Sequence, residues 1–211
     1  MEKYFLTENE SKTLYKILWD VTKILEKNGI PYWVCNGTLL GAVRCKGIIK
    51  WDDDLDIGVP YEYANKVDNV FKEDIVYEYW KDKLVNKIFY RHKEKKGKYS
   101  YPFLDIFYYK KENGKIKLSE DIPRSKWPND YWYLSDFFPL RQYDFGAYKV
   151  VGPNKNLDYF RRSYGDNWNK EGVISYDHKN EKVIVPIRWK LRDKDYEPAM
   201  PFYKSENWWE M

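Results

Sequence analysis

The chain has 211 residues, enough for one domain whose core needs no disulfide staples. Its 37 basic and 33 acidic residues leave a net charge of +4, too mild a basic excess for a dedicated nucleic-acid binder and compatible with an anionic small ligand. Two cysteines, Cys35 and Cys45, exclude a disulfide framework and point to a reducing, cytoplasmic compartment.

The opening MEKYFLTENES carries no apolar signal core. Thr7 to Glu10 spells a helix capping box. Leu14, Ile17, Leu18, Val21, Ile24 and Leu25 then recur at helical spacing, and Asn28-Gly29 closes the helix. Ile30–Cys35 reads as a buried strand, Asn36-Gly37-Thr38 as a turn, and Leu39–Arg44 as a short helix. A second strand, Leu55–Val59, is entered through the acidic corner Trp51-Asp52-Asp53-Asp54. Pro60 opens a helix with Ala64, Val67 and Phe71 on one face. Strands follow at Ile75–Trp80, Leu84–Tyr90 and Tyr101–Tyr109, the last two joined by the basic turn Lys93–Lys98.

Pro153–Tyr164 reads as a helix with Leu157, Phe160 and Tyr164 in register and Gly165 at its end. The rest of the second half reads as irregular, and the Trp-rich tail after Pro186 has no assignment. The 21 tyrosines and 10 tryptophans are expected mostly to fill the core and its rim. No stretch approaches about 18 consecutive apolar residues, so no transmembrane helix is expected. The predicted class is α+β, a mixed sheet with helices packed mainly on one face. Residues 1–120 form the catalytic core, and residues 121–211 a helical and irregular region completing the same domain.

Asp54 and Asp56 stand two apart at the start of a strand, so their side chains leave the same face. Two converging carboxylates repel each other, and a hard divalent cation is the natural way to keep both charged. Asp53, between them, is expected to point elsewhere. Alone, such a corner reads as a solvated loop. It follows, however, a glycine turn whose free N–H groups suit phosphate oxygens. Asp105, inside the apolar strand Phe103-Leu104-Asp105-Ile106-Phe107, is either a third carboxylate sharing that metal or an edge residue facing water. Cys45 is expected to pack as a small apolar residue. His92 and His178 are both expected at the surface.

The run GTLLGAVRCKGIIKWDDDLDIGV resembles the signature of LicD proteins and their relatives fukutin and fukutin-related protein. Phe103–Phe107, Phe138-Pro139-Leu140, Asp144-Phe145-Gly146 and Tyr164–Trp168 extend the resemblance over about residues 10–170. The chain departs from the pattern at Cys45, where a histidine is common, and at Lys50, where a proline is common. The resemblance implies a nucleotidyltransferase fold and transfer of a phospho-alcohol, phosphocholine or pentitol phosphate, from a CDP-linked donor to a glycan hydroxyl. It implies Mg²⁺, with Mn²⁺ as substitute, held by Asp54, Asp56 and Asp105, two ions bridging the pyrophosphate in the usual arrangement. It assigns the phosphate-loop role to Gly37 and Thr38, with Arg44 and Lys46 neutralising phosphate charge. Two other readings stay open: a nucleotidyltransferase releasing pyrophosphate, and a non-catalytic nucleotide- or metal-binding module.

Overall fold

The computed structural model describes residues 5–95 and 97–203. The first four residues and the tryptophans near the C-terminus lie outside the described residues. Helix α1 (Glu8–Lys27) begins at the expected capping box, in which Thr7 Oγ1 accepts from the Glu10 amide and the Glu10 carboxylate accepts from the Thr7 amide. Its apolar stripe, Leu14, Ile17, Leu18, Val21 and Leu25, is fully buried. Strand β1 (Trp33–Val34) leads into α2 (Asn36–Arg44), and β2 (Leu55–Pro60) follows the acidic corner. A 3-10 turn over residues 61–63 precedes α3 (Ala64–Lys72), which buries Val67 and Phe71.

Strands β3 (Tyr77–Trp80), β4 (Asn86–Tyr90), β5 (Phe103–Glu112) and β6 (Lys115–Leu118) come next. They are followed by α4 (Asp121–Lys126), β7 (Tyr131–Tyr133) and α5 (Leu134–Phe137). The sheet runs β1-β2-β5-β4-β3, with β6 paired to the far half of β5 and β7 to β6. Within it β2 and β5 pair in parallel and every other pair is antiparallel, so the sheet is mixed. A parallel pair cannot be closed by a tight turn. The chain therefore travels through α3, β3 and β4 between the two strands, and this detour brings Asp105 beside Asp56.

Several expectations change here, the first being that the strand read over Ile30–Cys35 pairs only at Trp33–Val34. Helix α2 starts at Asn36, three residues before the expected Leu39, so Gly37 and Thr38 form its first turn instead of a loop. The region after residue 120, expected to be helical and irregular, holds two hairpins around α6 (Leu157–Tyr164): β8 (Arg141–Phe145) with β9 (Tyr148–Gly152), and β10 (Glu171–Asp177) with β11 (Lys182–Lys190). Strand β11 is exposed along most of its length, Val183 and Val185 included, which erased the alternation that marks a half-buried strand. Helix α6 buries Tyr159 and Phe160, while Leu157 and Tyr164 stay exposed. The Tyr159 ring stacks on Trp132 at 4.0 Å, which sets that face inward. No described helix is long and apolar enough to cross a membrane.

Candidate active site

Strand register builds the acidic centre. Asp56 of β2 lies directly beside Asp105 of β5, and Asp54 precedes β2 by one residue, on the same face as Asp56. All three carboxylates are at least nine-tenths buried, and one oxygen from each falls within 4.8 Å of the others. Of the two positions open to Asp105, the structure takes the shared centre over the water-facing edge. With Asp52, these residues line a cavity of about 530 Å³ whose lining also includes Trp127, Asp130, Tyr159 and Tyr164.

The electrostatics follow from burial. Desolvation and the charges of Asp54 and Asp53 lift the Asp52 carboxyl to about 8. Asp56 is pushed well above the usual carboxylate range by burial and then by Asp54, Asp52 and Asp105. Burial lifts Asp105 to about 6 against the opposing Lys87 ammonium. Lys87 is itself buried, donates to Asp105 Oδ1 at 2.8 Å, and rests on the Phe103 ring at 3.6 Å. It faces Asp105 directly across the β4–β5 ladder.

His178 corrects the surface expectation. It lies in the connection between β10 and β11, yet its backbone amide donates to Asp53 Oδ2 at 3.0 Å. Its Nδ1 sits 2.6 Å from Asp53 Oδ1 and its Nε2 3.2 Å from Asp54 Oδ2. Burial opposes charge on the imidazole, but Asp54 and Asp53 outweigh it and raise its pKa to about 10. Asp53 meets His178 and is not grouped with Asp56 and Asp105, but it does not leave Asp54: donor atoms of Asp53, Asp54 and His178 lie within 4.8 Å of one another, which corrects the expectation that it points elsewhere. His92 is exposed.

The glycine turn also differs from expectation. The Gly37 amide donates to Asp56 Oδ2 at 2.9 Å, the Thr38 amide reaches the same oxygen at 3.4 Å, and Thr38 Oγ1 accepts from the Asp56 amide at 2.8 Å. The first amides of a helix lack intrahelical partners and favour a negative group, and Asp56 supplies it. These N–H groups are therefore committed to a carboxylate. Gly37 is a glycine for a further reason: a Cβ there would stand 2.5 Å from Asp52 Oδ2. Asn36, at φ 41°, is held by the Tyr159 hydroxyl, which donates to its Oδ1 at 2.7 Å.

Arg44 lines a second cavity of about 330 Å³ that shares Gly37, Asp52 and Tyr164 with the first. Its guanidinium donates to the Trp168 carbonyl at 3.1 Å and faces the Trp51 ring at 5.3 Å. Lys46 lines neither cavity. It is exposed, in the left-handed region at φ 55°, and its carbonyl accepts from the Gly146 amide. Cys45 is buried with its thiol pushed up by desolvation, which fits packing and not nucleophilic attack.

Residues 29–155 match the family described as LicD/FKTN/FKRP, nucleotidyltransferase domain. The chain belongs to this family. It is 32% identical to an uncharacterized protein of Rickettsia typhi over 96% of this chain and 63% of that protein. It is 32% identical to the lipopolysaccharide cholinephosphotransferase LicD of Haemophilus influenzae, over 81% of this chain and 78% of that one. It is 27% identical to the human ribitol-5-phosphate transferase FKTN, over 82% of this chain and 37% of the human protein. The chain thus spans under two thirds of the rickettsial protein, as it does of a Rickettsia prowazekii relative matched over 63% of its length. LicD-family membership bears out the sequence resemblance and agrees with the mixed sheet. His178 and Lys87 were missed because nothing local marks them: one lies 125 residues from its partner Asp53, the other 18 from Asp105.

Proposed function

We propose that this LicD-family chain is a divalent-cation-dependent phosphotransferase. In this reading it moves a phospho-alcohol of the phosphocholine or pentitol phosphate type from a CDP-linked donor to a glycan hydroxyl. The observation that carries the proposal is the convergence of Asp54, Asp56 and Asp105 in one buried corner. The names of two relatives, a cholinephosphotransferase and a ribitol-5-phosphate transferase, support the class of group transferred. The CDP donor rests on the family resemblance.

The donor set fits Mg²⁺ or Mn²⁺. Five carboxylates, Asp52, Asp53, Asp54, Asp56 and Asp105, share the corner with two cationic side chains, Lys87 and His178. Burial raises several of these carboxyls because the charge is under-compensated, and a bound cation removes that cost. Asp54, Asp56 and Asp105 would hold it. When bound, it would supply charge neutralisation to the attacking hydroxyl oxygen and to the oxygen that leaves with CMP.

The chain's own groups do the rest. The acceptor hydroxyl oxygen attacks the phosphorus that bears the alcohol, the bond to CMP breaks, and CMP leaves with the bridging oxygen. Asp105, with Oδ1 engaged by Lys87, offers its other oxygen to orient the hydroxyl and take its proton. Arg44 stands in the adjoining cavity, where it neutralises an anionic part of either substrate. The test is product analysis with Mg²⁺ and CDP-choline or CDP-ribitol in the presence of a glycan acceptor. Release of CMP with a phospho-alcohol on the glycan is expected. Pyrophosphate release from a nucleoside triphosphate, with no CMP from either CDP-alcohol, overturns the proposal in favour of nucleotidyl transfer.

A further inference from the structure

We infer that His178 is a nitrogen ligand of the cation held at the Asp54–Asp56–Asp105 corner, with Asp53 as the carboxylate that orients its ring. The inference rests on the reading of this corner as a divalent-cation site. It goes further by making the centre a mixed nitrogen–oxygen site of the transition-metal kind, with Mn²⁺ the fitting ion.

The connection between β10 and β11 delivers His178 over the corner, and Asp53 fixes it there at two points. One Asp53 oxygen accepts from the His178 backbone amide at 3.0 Å, and the other meets Nδ1 at 2.6 Å. The Phe103 ring, edge-on at 5.8 Å, and the Tyr176 ring at 4.7 Å confine the imidazole further. With Nδ1 engaged, Nε2 is the nitrogen left to face the acidic centre, and it would release its proton to solvent as the ion binds. A carboxylate on one imidazole nitrogen, which fixes the ring while the other nitrogen binds metal, is the usual build of a histidine metal site.

The two contacts of the ring are unequal. The 2.6 Å approach of Nδ1 to Asp53 is that of a strong charge-assisted bond, whereas the 3.2 Å from Nε2 to Asp54 Oδ2 exceeds the usual length of one. It also matches the spacing of two ligands of one ion. With metal–ligand bonds of about 2.1 Å, neighbouring donors stand about 3.0 Å apart at a right angle and about 3.4 Å apart in a tetrahedron. Donor atoms of Asp53, Asp54 and His178 also group within 4.8 Å, as do those of Asp54, Asp56 and Asp105, so Asp54 belongs to both sets. Imidazole favours transition metals, while an all-oxygen set favours Mg²⁺.

Mn²⁺ added to the full chain provides the test. Electron spin-echo spectra are expected to show nitrogen modulation from a coordinated imidazole, lost in His178→Gln and kept in His92→Gln. By calorimetry, Mn²⁺ affinity is expected to fall about 10–100-fold in Asp53→Asn and in His178→Gln. The loss for Mg²⁺ should be smaller. Mn²⁺ binding by the unsubstituted protein without nitrogen modulation overturns the inference, since His178 is then only an ion-pair partner. So does an unchanged Mn²⁺ affinity in His178→Gln. Failure of Mn²⁺ to bind at all overturns both the ligand and the cation-site reading. Nitrogen-coordinated Mn²⁺ in a protein that releases no CMP from any CDP-alcohol sinks the proposed reaction alone.

Discussion

Replacing Lys87 by methionine keeps the length and apolar stem of the side chain and removes its charge. The ammonium lies 2.8 Å from Asp105 Oδ1, and the two side chains are each 7% exposed. At an effective dielectric constant near 20, charges at that separation attract by about 6 kcal/mol. Much of this offsets the cost of desolvating the pair, but removing one member strands the other, which costs about 3–5 kcal/mol. Asp105 can soften the loss by taking up a proton. Burial already lifts its carboxyl to about 6 against the pull of Lys87, and methionine removes that pull. The deficit is therefore expected in full at pH 8 and in smaller part at pH 5. Urea unfolding in EDTA should show Lys87→Met less stable than the unsubstituted chain by about 3 kcal/mol at pH 8. For a chain of this size that corresponds to a Tm lower by about 10 °C. Added Mn²⁺ should narrow the gap by supplying the missing positive charge. A difference below about 1 kcal/mol at pH 8, typical of an exposed ion pair, would refute the reasoning.

Asp54→Asn and Asp56→Asn should each abolish CMP release while leaving unfolding in EDTA unchanged or slightly more resistant, because each relieves carboxylate repulsion; near-normal turnover at saturating Mg²⁺ would count against the site. Gly37→Ala places a Cβ 2.5 Å from Asp52 Oδ2, so overpacking should cost about 1–3 kcal/mol in urea unfolding, and an unaffected midpoint would mean Asp52 is free to move. His178 has a folded pKa near 10, above its unfolded value near 6.5. The stability it contributes without metal is thus fully present below about pH 6.5 and lost as the pH rises to about 10, and His178→Gln should flatten that part of the stability profile. Calorimetry with Mg²⁺ should rank CDP above ADP, GDP and UDP, and a purine preference would overturn the donor class.

Local chemistry settled much of this protein. The capping box and apolar stripe of α1, the Asp54-x-Asp56 pair, and the family likeness could all be read along the chain, because each depends on residues a few positions apart. The strands β2, β4 and β5 were visible for the same reason. Asp105 was legible as a charged residue in an apolar strand, but its direction was not. The parallel pairing of β2 with β5 decided that, by setting Asp105 beside Asp56, 49 positions earlier in the chain. Tertiary structure also decided that Gly37 and Thr38 serve Asp56, that Arg44 looks into a second cavity, and that Lys46 stays outside. His178 was the largest surprise: its hairpin is exposed and mixed in polarity, so neither strand announced itself. No pattern of neighbours could show that a histidine 125 residues from Asp53 would close over it. Periodicity reports which face of an element is buried. Which side chains meet across the core is set by register and by chain detours, and these exist only once the sheet is assembled.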